Sequence, residues 1–272
     1  MPSPLMPIDY QQYRSKEFHP IETNIIVETP VSLTVNGEIW LSFMCTPTEL
    51  EALAAGFLYN EGILQFRDEI AELRVCPSGD NVDIWLNHTV ERPQLWRQTS
   101  GCTGGLTSTD LNIINPYDNN HGGLTPQDIF RLIGNIYQQG ELYRQAGGVH
   151  TSAFADRTHV CVLAQDIGRH NTLDKIAGRC LLDGIEVKLG VITTTGRISS
   201  EMLQKAQRIG AYFVISHTSP TSLSIQLAQK VGITLIGYAR RNQFNVYTHP
   251  HRIDTLTASD LTQSHTLEVL NA

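Results

Sequence analysis

Between residues 189 and 238 the chain repeats one pattern, and that repeat limits the fold more than any other feature. Leu189-Gly190-Val191-Ile192-Thr193, Tyr212-Phe213-Val214-Ile215-Ser216 and Thr234-Leu235-Ile236-Gly237-Tyr238 are short, largely apolar runs. Each of the first two is followed by a stretch of helical character that closes on a glycine, Gly210 or Gly232. Strand, helix, strand, helix, strand at this spacing predicts parallel βαβ units with right-handed crossovers. The expected result is a three-layer α/β unit with a mixed sheet.

Upstream, Thr125-Pro126-Gln127-Asp128 predicts a capped helix that runs to about 143, with Ile129, Leu132, Ile133, Ile136 and Leu142 on one face. Residues 149–155 and 159–164 read as an antiparallel pair, and a helix over 171–182 stops at Gly184. These belong with the repeat in a larger domain, 125–256. Before it, residues 31–35 and 38–44 flank Asn36-Gly37, the strongest short hairpin signal. Thr46-Pro47-Thr48-Glu49 then supplies an N-cap, a proline at the first helical position and a glutamate placed for a capping box. A helix to about Asn60 follows, with Leu50, Leu53, Ala54, Phe57 and Leu58 inward, and strands over 71–76 and 82–86. That makes a smaller α+β domain, 23–105. Residues 1–22, polar and proline-bearing, read as a loosely held arm, 106–124 as a linker and 257–272 as a tail.

The smaller domain ends in Arg97-Gln98-Thr99-Ser100-Gly101-Cys102-Thr103-Gly104-Gly105. Its small and hydroxylic neighbours give Cys102 little apolar surface to pack against. The stretch is either a surface turn with an incidental cysteine or a thiol on a loop whose glycines let backbone N–H groups approach an anion or thiolate. The other cysteines, Cys45, Cys76, Cys161 and Cys180, are flanked by apolar or strand residues and read as buried. Five cysteines without a close pair provide neither a disulfide framework nor zinc-ribbon spacing.

In an open α/β sheet, ligands collect at the carboxyl ends of parallel strands. The chain delivers there Thr193-Thr194-Thr195-Gly196-Arg197, His217-Thr218-Ser219-Pro220-Thr221 and Ala239-Arg240-Arg241-Asn242. Two of these lead into helices, whose free N–H groups and dipole favour a phosphate. Arg197, Arg240 and Arg241 add forked donors. The two readings are an anionic, nucleotide-like ligand or well-capped helices with solvated arginines. Asp166-Ile167-Gly168-Arg169-His170-Asn171-Thr172-Leu173-Asp174-Lys175 either lines the same cleft or caps a helix. His150 is a lone histidine.

A net charge of −7 argues against a general DNA or RNA binder. The first ten residues lack a basic region followed by an apolar run, and no stretch is long and apolar enough to span a bilayer, so a cytoplasmic protein with no membrane partner is expected. No Walker or Rossmann glycine fingerprint appears. A zinc deaminase needs His-x-Glu and Pro-Cys-x-x-Cys, whereas His150 is followed by Thr151-Ser152 and Ser219-Pro220-Thr221 carries no cysteine.

Glu51-Ala52-Leu53-Ala54-Ala55-Gly56-Phe57-Leu58 with Glu61-Gly62-Ile63, Ser100-Gly101-Cys102, Gly147-Gly148-Val149-His150, Asp166-Ile167-Gly168-Arg169-His170-Asn171 with Asp174-Lys175, Thr195-Gly196-Arg197, Ser219-Pro220-Thr221-Ser222-Leu223 and Phe244-Asn245-Val246-Tyr247-Thr248 occur in this order. Together they resemble the formate dehydrogenase accessory sulfurtransferases, the FdhD family, over about residues 24–253. The resemblance implies a larger domain with the fold of cytidine deaminases, without their zinc. It also implies a sulfurtransferase that takes sulfur from a cysteine desulfurase as a cysteine persulfide and passes it to the bis-molybdopterin guanine dinucleotide cofactor of formate dehydrogenase. Cys102 would be the carrier. The guanine nucleotide of the cofactor would lie near Tyr238-Ala239-Arg240-Arg241-Asn242-Gln243, with Thr195, Gly196, Arg197, Ser219 and His170 as further binding residues. A homodimer is expected by the same analogy. Many family members carry Cys-x-x-Cys in this loop, but here the run is Cys102-Thr103-Gly104-Gly105. The alternative reading is therefore a non-catalytic chaperone that delivers the cofactor.

Overall fold

The chain opens not on a loose arm but on an antiparallel ribbon, β1 (Leu5–Arg14) and β2 (Glu17–Ile26). Ser15 and Lys16 both take positive φ, 56° and 71°, which lets a two-residue turn match the twist of its strands. The prolines that suggested an arm, Pro7 and Pro20, sit within a ribbon that has no third strand, where the missing N–H is tolerated. The computed structural model describes residues 2–93, 123–187 and 190–254, with the backbone of 97–98 and 106–107.

The smaller lobe follows. β3 (Thr29–Val35) and β4 (Glu38–Cys45) form the expected hairpin around Asn36 and Gly37, and α1 (Leu50–Asn60) covers a sheet completed by β5 (Ile70–Val75) and β6 (Asn81–Leu86). The strand order is β4-β3-β6-β5, with β3 and β6 parallel. Leu33, Val35, Trp40, Leu53, Phe57 and Ile84 are among its core residues. The predicted cap at Thr46 and the capping box do not form. The N-cap is Glu49, left-handed at φ 52° and without a side-chain cap bond. Tertiary bonds claim the earlier residues instead: the Thr46 N–H donates to Asp166 Oδ2 (3.1 Å), and the Ile167 N–H donates to Thr46 Oγ1 (3.2 Å).

Two short strands, β7 (Arg97–Gln98) and β8 (Leu106–Thr107), pair antiparallel. Cys102 falls between them in sequence and lies outside the described residues, as do most of the predicted linker and the tail.

In the larger lobe the Thr125 capping box does form: the Asp128 N–H donates to Thr125 Oγ1 at 3.2 Å, and the Thr125 N–H donates to Asp128 Oδ2 at 3.1 Å. The helix expected to reach 143 is two helices, α2 (Pro126–Gln139) and α3 (Glu141–Ala146). It breaks at Gly140, where a Cβ would meet the Ile136 carbonyl at 2.7 Å and Gln165 Nε2 at 2.9 Å. Then come β9 (His150–Ala155), β10 (Val160–Asp166), α4 (Arg169–Asp183), β11 (Gly190–Thr194), α5 (Ser200–Arg208), β12 (Ala211–Ser216), α6 (Ser222–Val231), β13 (Thr234–Arg240) and β14 (Gln243–Val246). The sheet order is β10-β9-β11-β12-β13-β14. The β11, β12 and β13 strands are parallel as expected, and the outer pairings are antiparallel.

Alternate residues of these strands face opposite layers. Val191, Phe213, Ile215 and Ile236 pack with Ile129, Leu132 and Ile136 of α2, while Ile192, Val214 and Leu235 pack with residues of α4, α5 and α6. This is the three-layer mixed sheet the sequence predicts. Among the described residues, no helix is long and apolar enough to cross a membrane.

The lobes join where α1 crosses α4, and glycine lets the backbones touch. A Cβ at Gly56 would lie 1.8 Å from the Asp174 carbonyl oxygen, and one at Gly178 would lie 1.9 Å from that of Ala52. Buried charges bind the same seam. Lys175 Nζ meets Asp166 Oδ2 at 2.7 Å with both side chains 0% exposed, and donates to the Thr46 and Gln165 carbonyls at 3.2 and 3.1 Å. Asp174 accepts from Lys205 Nζ at 2.6 Å and from Asn60 Nδ2 at 2.8 Å.

Candidate functional site

A groove of about 490 Å3 opens at the carboxyl end of β13. One wall is α2, through Phe130, Gly134 and Tyr137; the other is the end of β13 and its turn, Ala239 to Asn242, with His217 from the loop after β12. Phe130, Gly134 and Tyr137 recur four and three residues apart, so they share one helical face. A Cβ at Gly134 would meet nothing within 4 Å, so that position leaves the wall open.

The turn is shaped by a register irregularity between Gly237 and Arg240. Tyr238 takes φ 53°, a left-handed conformation that a bulky residue adopts only under constraint. Its N–H donates to the Thr218 carbonyl at 2.9 Å, and the neighbouring Gly237 has no room for a Cβ against Pro220 Cδ (2.9 Å) and the Thr218 oxygen (3.0 Å). The irregularity leaves Tyr238 exposed, buries Ala239 and presents Arg240, Arg241 and Asn242 to solvent at the groove.

The groove's interior is aromatic and poorly solvated. Tyr137 meets His217 edge-on, with ring centroids 5.5 Å apart. Burial, helped by Tyr143, pushes the Tyr137 hydroxyl up to about 12, with Arg240 pulling the other way. Tyr137 therefore remains a neutral donor. His217 Nδ1 is buried with no hydrogen-bond partner among the described residues. Such a group is costly to leave unmet, and a polar ligand atom would meet it. A flat, hydrogen-bonding ring against Tyr137 and His217, with its anionic end on Arg240 and Arg241, suits this surface. Its volume falls in the ~300–1,000 Å3 range of small-molecule sites, enough for one mononucleotide unit.

The remaining predicted binding residues lie elsewhere. Thr195, Gly196, Arg197, Ser219 and His170 are not part of the groove's lining, and neither Tyr238 nor Gln243 lines it. Thr195 Oγ1 accepts from the Thr151 N–H at 3.1 Å and lies 3.4 Å from His150 Nδ1. A Cβ on Gly196 would meet Arg169 Cβ at 3.0 Å and His150 Nδ1 at 3.5 Å. His170 Nε2 lies 3.4 Å from both Ser199 Oγ and Glu201 Oε2. Burial lowers the His150 and His170 pKa values below the ordinary 6.5, with Arg169 adding to the effect at both. These residues form a second polar cluster, at the β11 end and beside α4 and α5, whereas the groove lies beside α2. Ser219 contributes its carbonyl, which accepts from the Ile198 N–H at 3.2 Å, and Arg197 is exposed.

The 166–175 stretch likewise divides. Arg169 and His170 join the second cluster, while Asp166, Asn171 and Lys175 tie the lobes together, with Asn171 Nδ2 bonding both Asp166 Oδ1 and the Met44 carbonyl. Of the other cysteines, Cys45 is buried, with its thiol pushed up to about 12 by burial and Asp166. Cys180 is half-buried and raised likewise, and Cys161, expected inside, is exposed on β10, the outermost strand of its sheet. No group of three His, Cys, Asp or Glu side chains among the described residues could hold a metal ion.

The chain thus joins a mixed α/β lobe that carries an arginine-lined groove at a strand end to a smaller lobe followed in sequence by a cysteine set among glycines. Residues 26–254 match the FdhD/NarQ family, and the chain belongs to it. It is 35% identical over 256 residues to the sulfur carrier protein FdhD of Bacillus subtilis strain 168, covering 90% of this chain and 96% of that one. It is also 35% identical over 242 residues to the protein of that name from Staphylococcus aureus strain MRSA252, covering 84% and 88%. The fold is similar to a crystal structure from Desulfotalea psychrophila described as a formate dehydrogenase accessory protein, with a TM-score of 0.78, 28% identity, and coverage of 93% of this chain and 100% of that one.

Proposed function

We propose that this chain is a sulfur carrier in the maturation of a formate dehydrogenase, working as a sulfurtransferase through Cys102. The observation that carries the reading is the match across 26–254 to a family whose named members are sulfur carriers, in a chain that sets Cys102 among glycines. The Cys102 thiolate would attack the persulfide of a cysteine desulfurase. The donor's sulfur–sulfur bond breaks, the new one forms on Cys102, and the donor cysteine leaves as a thiolate. The outer, zero-valent sulfur would then pass to the reduced molybdenum of the substrate, bis-molybdopterin guanine dinucleotide, whose two electrons make it a sulfide ligand as the sulfur–sulfur bond breaks and Cys102 leaves as a thiolate.

The groove supports the second half of this reading. Tyr137 and His217 would take one guanine ring, and Arg240 and Arg241 its phosphates. The second cluster then stands apart as a polar scaffold at the β11 end. We take the working unit to be a cytoplasmic homodimer. The single cysteine of Cys102-Thr103-Gly104-Gly105 favours one other reading, a chaperone that binds and delivers the cofactor without carrying sulfur.

Complementation separates the two. In a strain lacking its own carrier, the wild-type chain should restore formate dehydrogenase activity, Cys102→Ala should not, and Cys161→Ala should behave as wild type. Full activity with Cys102→Ala would refute the sulfur carrier and leave the chaperone.

A further inference from the structure

The polar scaffold at the β11 end holds charge that a scaffold does not need. Arg169 is the first residue of α4, a helix of 15 residues whose first turn contains no acidic side chain. The positive end of a helix dipole favours an anion and disfavours a cation. Arg169 is also only 7% exposed, and a guanidinium is costly to take out of water. A second helix starts beside it. His170 of α4 lies 3.4 Å from the Oγ of Ser199, the N-cap of α5, and α5 is entered from Thr195-Gly196-Arg197. Two helix N-termini, Arg169 and the exposed Arg197 therefore bring positive potential to one place.

The carboxylates around it are committed to other partners. Asp166 Oδ2 pairs with Lys175 at 2.7 Å, and Glu201 Oε2 faces His170 at 3.4 Å. The two histidines add hydrogen-bonding groups without adding charge. Burial above all, with Arg169 contributing, holds both below the ordinary 6.5, so at neutral pH each is an uncharged ring. His150 is half-buried, beside half-buried Thr195, so the cluster reaches solvent there. Gly196 lies between Arg169 and His150, where a Cβ would meet Arg169 Cβ at 3.0 Å and His150 Nδ1 at 3.5 Å. Glycine keeps the approach to both side chains clear.

This cluster and the groove sit back to back across the strand ends. His217 lines the groove. Ser216, one residue earlier and the last of β12, donates from Oγ to the Gly196 carbonyl at 2.7 Å. Successive strand residues face opposite sides of a sheet, so roughly 10 Å, about one layer, separates the two places. A molecule with a base at one end and an anionic centre at the other can reach both.

We infer that Arg169 and His150, with Gly196 between them, form a second binding site that takes the anionic, sulfur-ligated molybdenum end of the substrate whose guanine end occupies the groove. The inference rests on the function proposed above and deepens it: the substrate is held at both ends, and the end that accepts sulfur lies against a forked donor. A simple nucleotide fills only the groove, and a compact thiometallate dianion fills only the second site.

Calorimetry on the full chain tests it with two probes, guanosine diphosphate and tetrathiomolybdate. The chain carries Cys102→Ala and Cys161→Ala, so that neither the loop thiol nor the exposed one reacts with the thiometallate. Both probes should bind at once. Arg169→Gln should weaken tetrathiomolybdate about 10-fold or more and leave guanosine diphosphate within about 2-fold, and Gly196→Ala, which sets a methyl between Arg169 and His150 without removing charge, should do the same. Replacing Arg240 and Arg241 with Ala should do the reverse. Three results would overturn the second site while leaving the groove intact: guanosine diphosphate binding without tetrathiomolybdate, displacement of one probe by the other, or undiminished tetrathiomolybdate binding by both variants. Inorganic phosphate binding there as tightly as tetrathiomolybdate would overturn the molybdenum end as its ligand. A chain that binds no guanosine diphosphate refutes the groove, and this inference with it. Should Arg169→Gln fail to fold, Gly196→Ala decides. None of these readouts depends on sulfur transfer.

Discussion

Removing one partner of the Lys175–Asp166 pair tests how the two lobes are held. Both side chains are fully buried, 2.7 Å apart, at the seam between β4 and β10. Breaking a buried pair by deleting one member costs about 3–5 kcal/mol, because the survivor keeps its charge without its partner. The surroundings decide which end of that range applies. With Lys175→Met, the Asp166 carboxylate still accepts from the Thr46 N–H (3.1 Å), the Gly168 N–H (2.8 Å) and Asn171 Nδ2 (2.8 Å). With three donors left, the loss should be near 3 kcal/mol, or about 6–12 °C in melting temperature at ~2–4 °C per kcal/mol for a chain of this size. Asp166→Asn is the harsher change. It strands the Lys175 ammonium among neutral acceptors and turns one carboxylate oxygen, at which two donors already point, into an amide N–H2, so its cost should approach about 5 kcal/mol, or about 10–20 °C. Thermal unfolding by near-ultraviolet circular dichroism, with urea titration for the free energies, measures both. The order matters as much as the size. Losses under about 1 kcal/mol for both variants, or Lys175→Met proving the worse, would refute the account of the seam.

Three further outcomes follow from the same geometry. Gly56→Ala forces its new methyl to within 1.8 Å of the Asp174 carbonyl unless α1 and α4 separate, so it should cost about 3 kcal/mol or more in urea unfolding, while Gly134→Ala, which meets nothing within 4 Å, should cost no more than about 1 kcal/mol. His150 and His170 have folded pKa values below 6.5. The unfolded chain then takes up protons first, so stability should fall as pH drops from about 6.5 toward the folded values, and His170→Asn should flatten that slope in melting temperature against pH. Replacing Arg240 and Arg241 together with Ala should weaken binding of guanosine diphosphate by about 10-fold or more in calorimetry, whereas Arg197→Ala, outside the groove, should leave it within about 2-fold.

Legibility in the sequence followed the kind of interaction involved. The parallel strands were readable because strands buried on both faces must be continuously apolar. Asn36-Gly37 and the Thr125 capping box were readable because their bonds are local. The Thr46 cap failed for the opposite reason: its donor and acceptor are claimed by Asp166 and Ile167, more than a hundred residues away. Gly140 ends α2 through a close approach to Gln165 and Thr151 that no local pattern announces. The ribbon did leave a signal. Met6-Pro7-Ile8-Asp9-Tyr10 alternates apolar side chains on one face, but the prolines drew attention to disorder instead.

The site was legible by halves. Arg240, Arg241 and Asn242, singled out because strand ends collect ligands, line the candidate groove. Thr195, Gly196, Ser219 and His170 share that end of the sheet, but linear position does not say on which side of the sheet a residue falls. The α2 wall was missed, although Phe130, Gly134 and Tyr137 mark one helical face and His217 follows β12 directly. Cys102 rests on the sequence, since it lies outside the described residues.

The central claim is that Cys102 carries sulfur, and intact-protein mass spectrometry tests it most directly. The wild-type chain and Cys102→Ala are incubated with an active cysteine desulfurase and cysteine, then weighed before and after a reductant. The account predicts a gain of one or more sulfur atoms on the wild type, removed by the reductant and absent from Cys102→Ala. No gain on the wild type, while the desulfurase loads another acceptor, would contradict it.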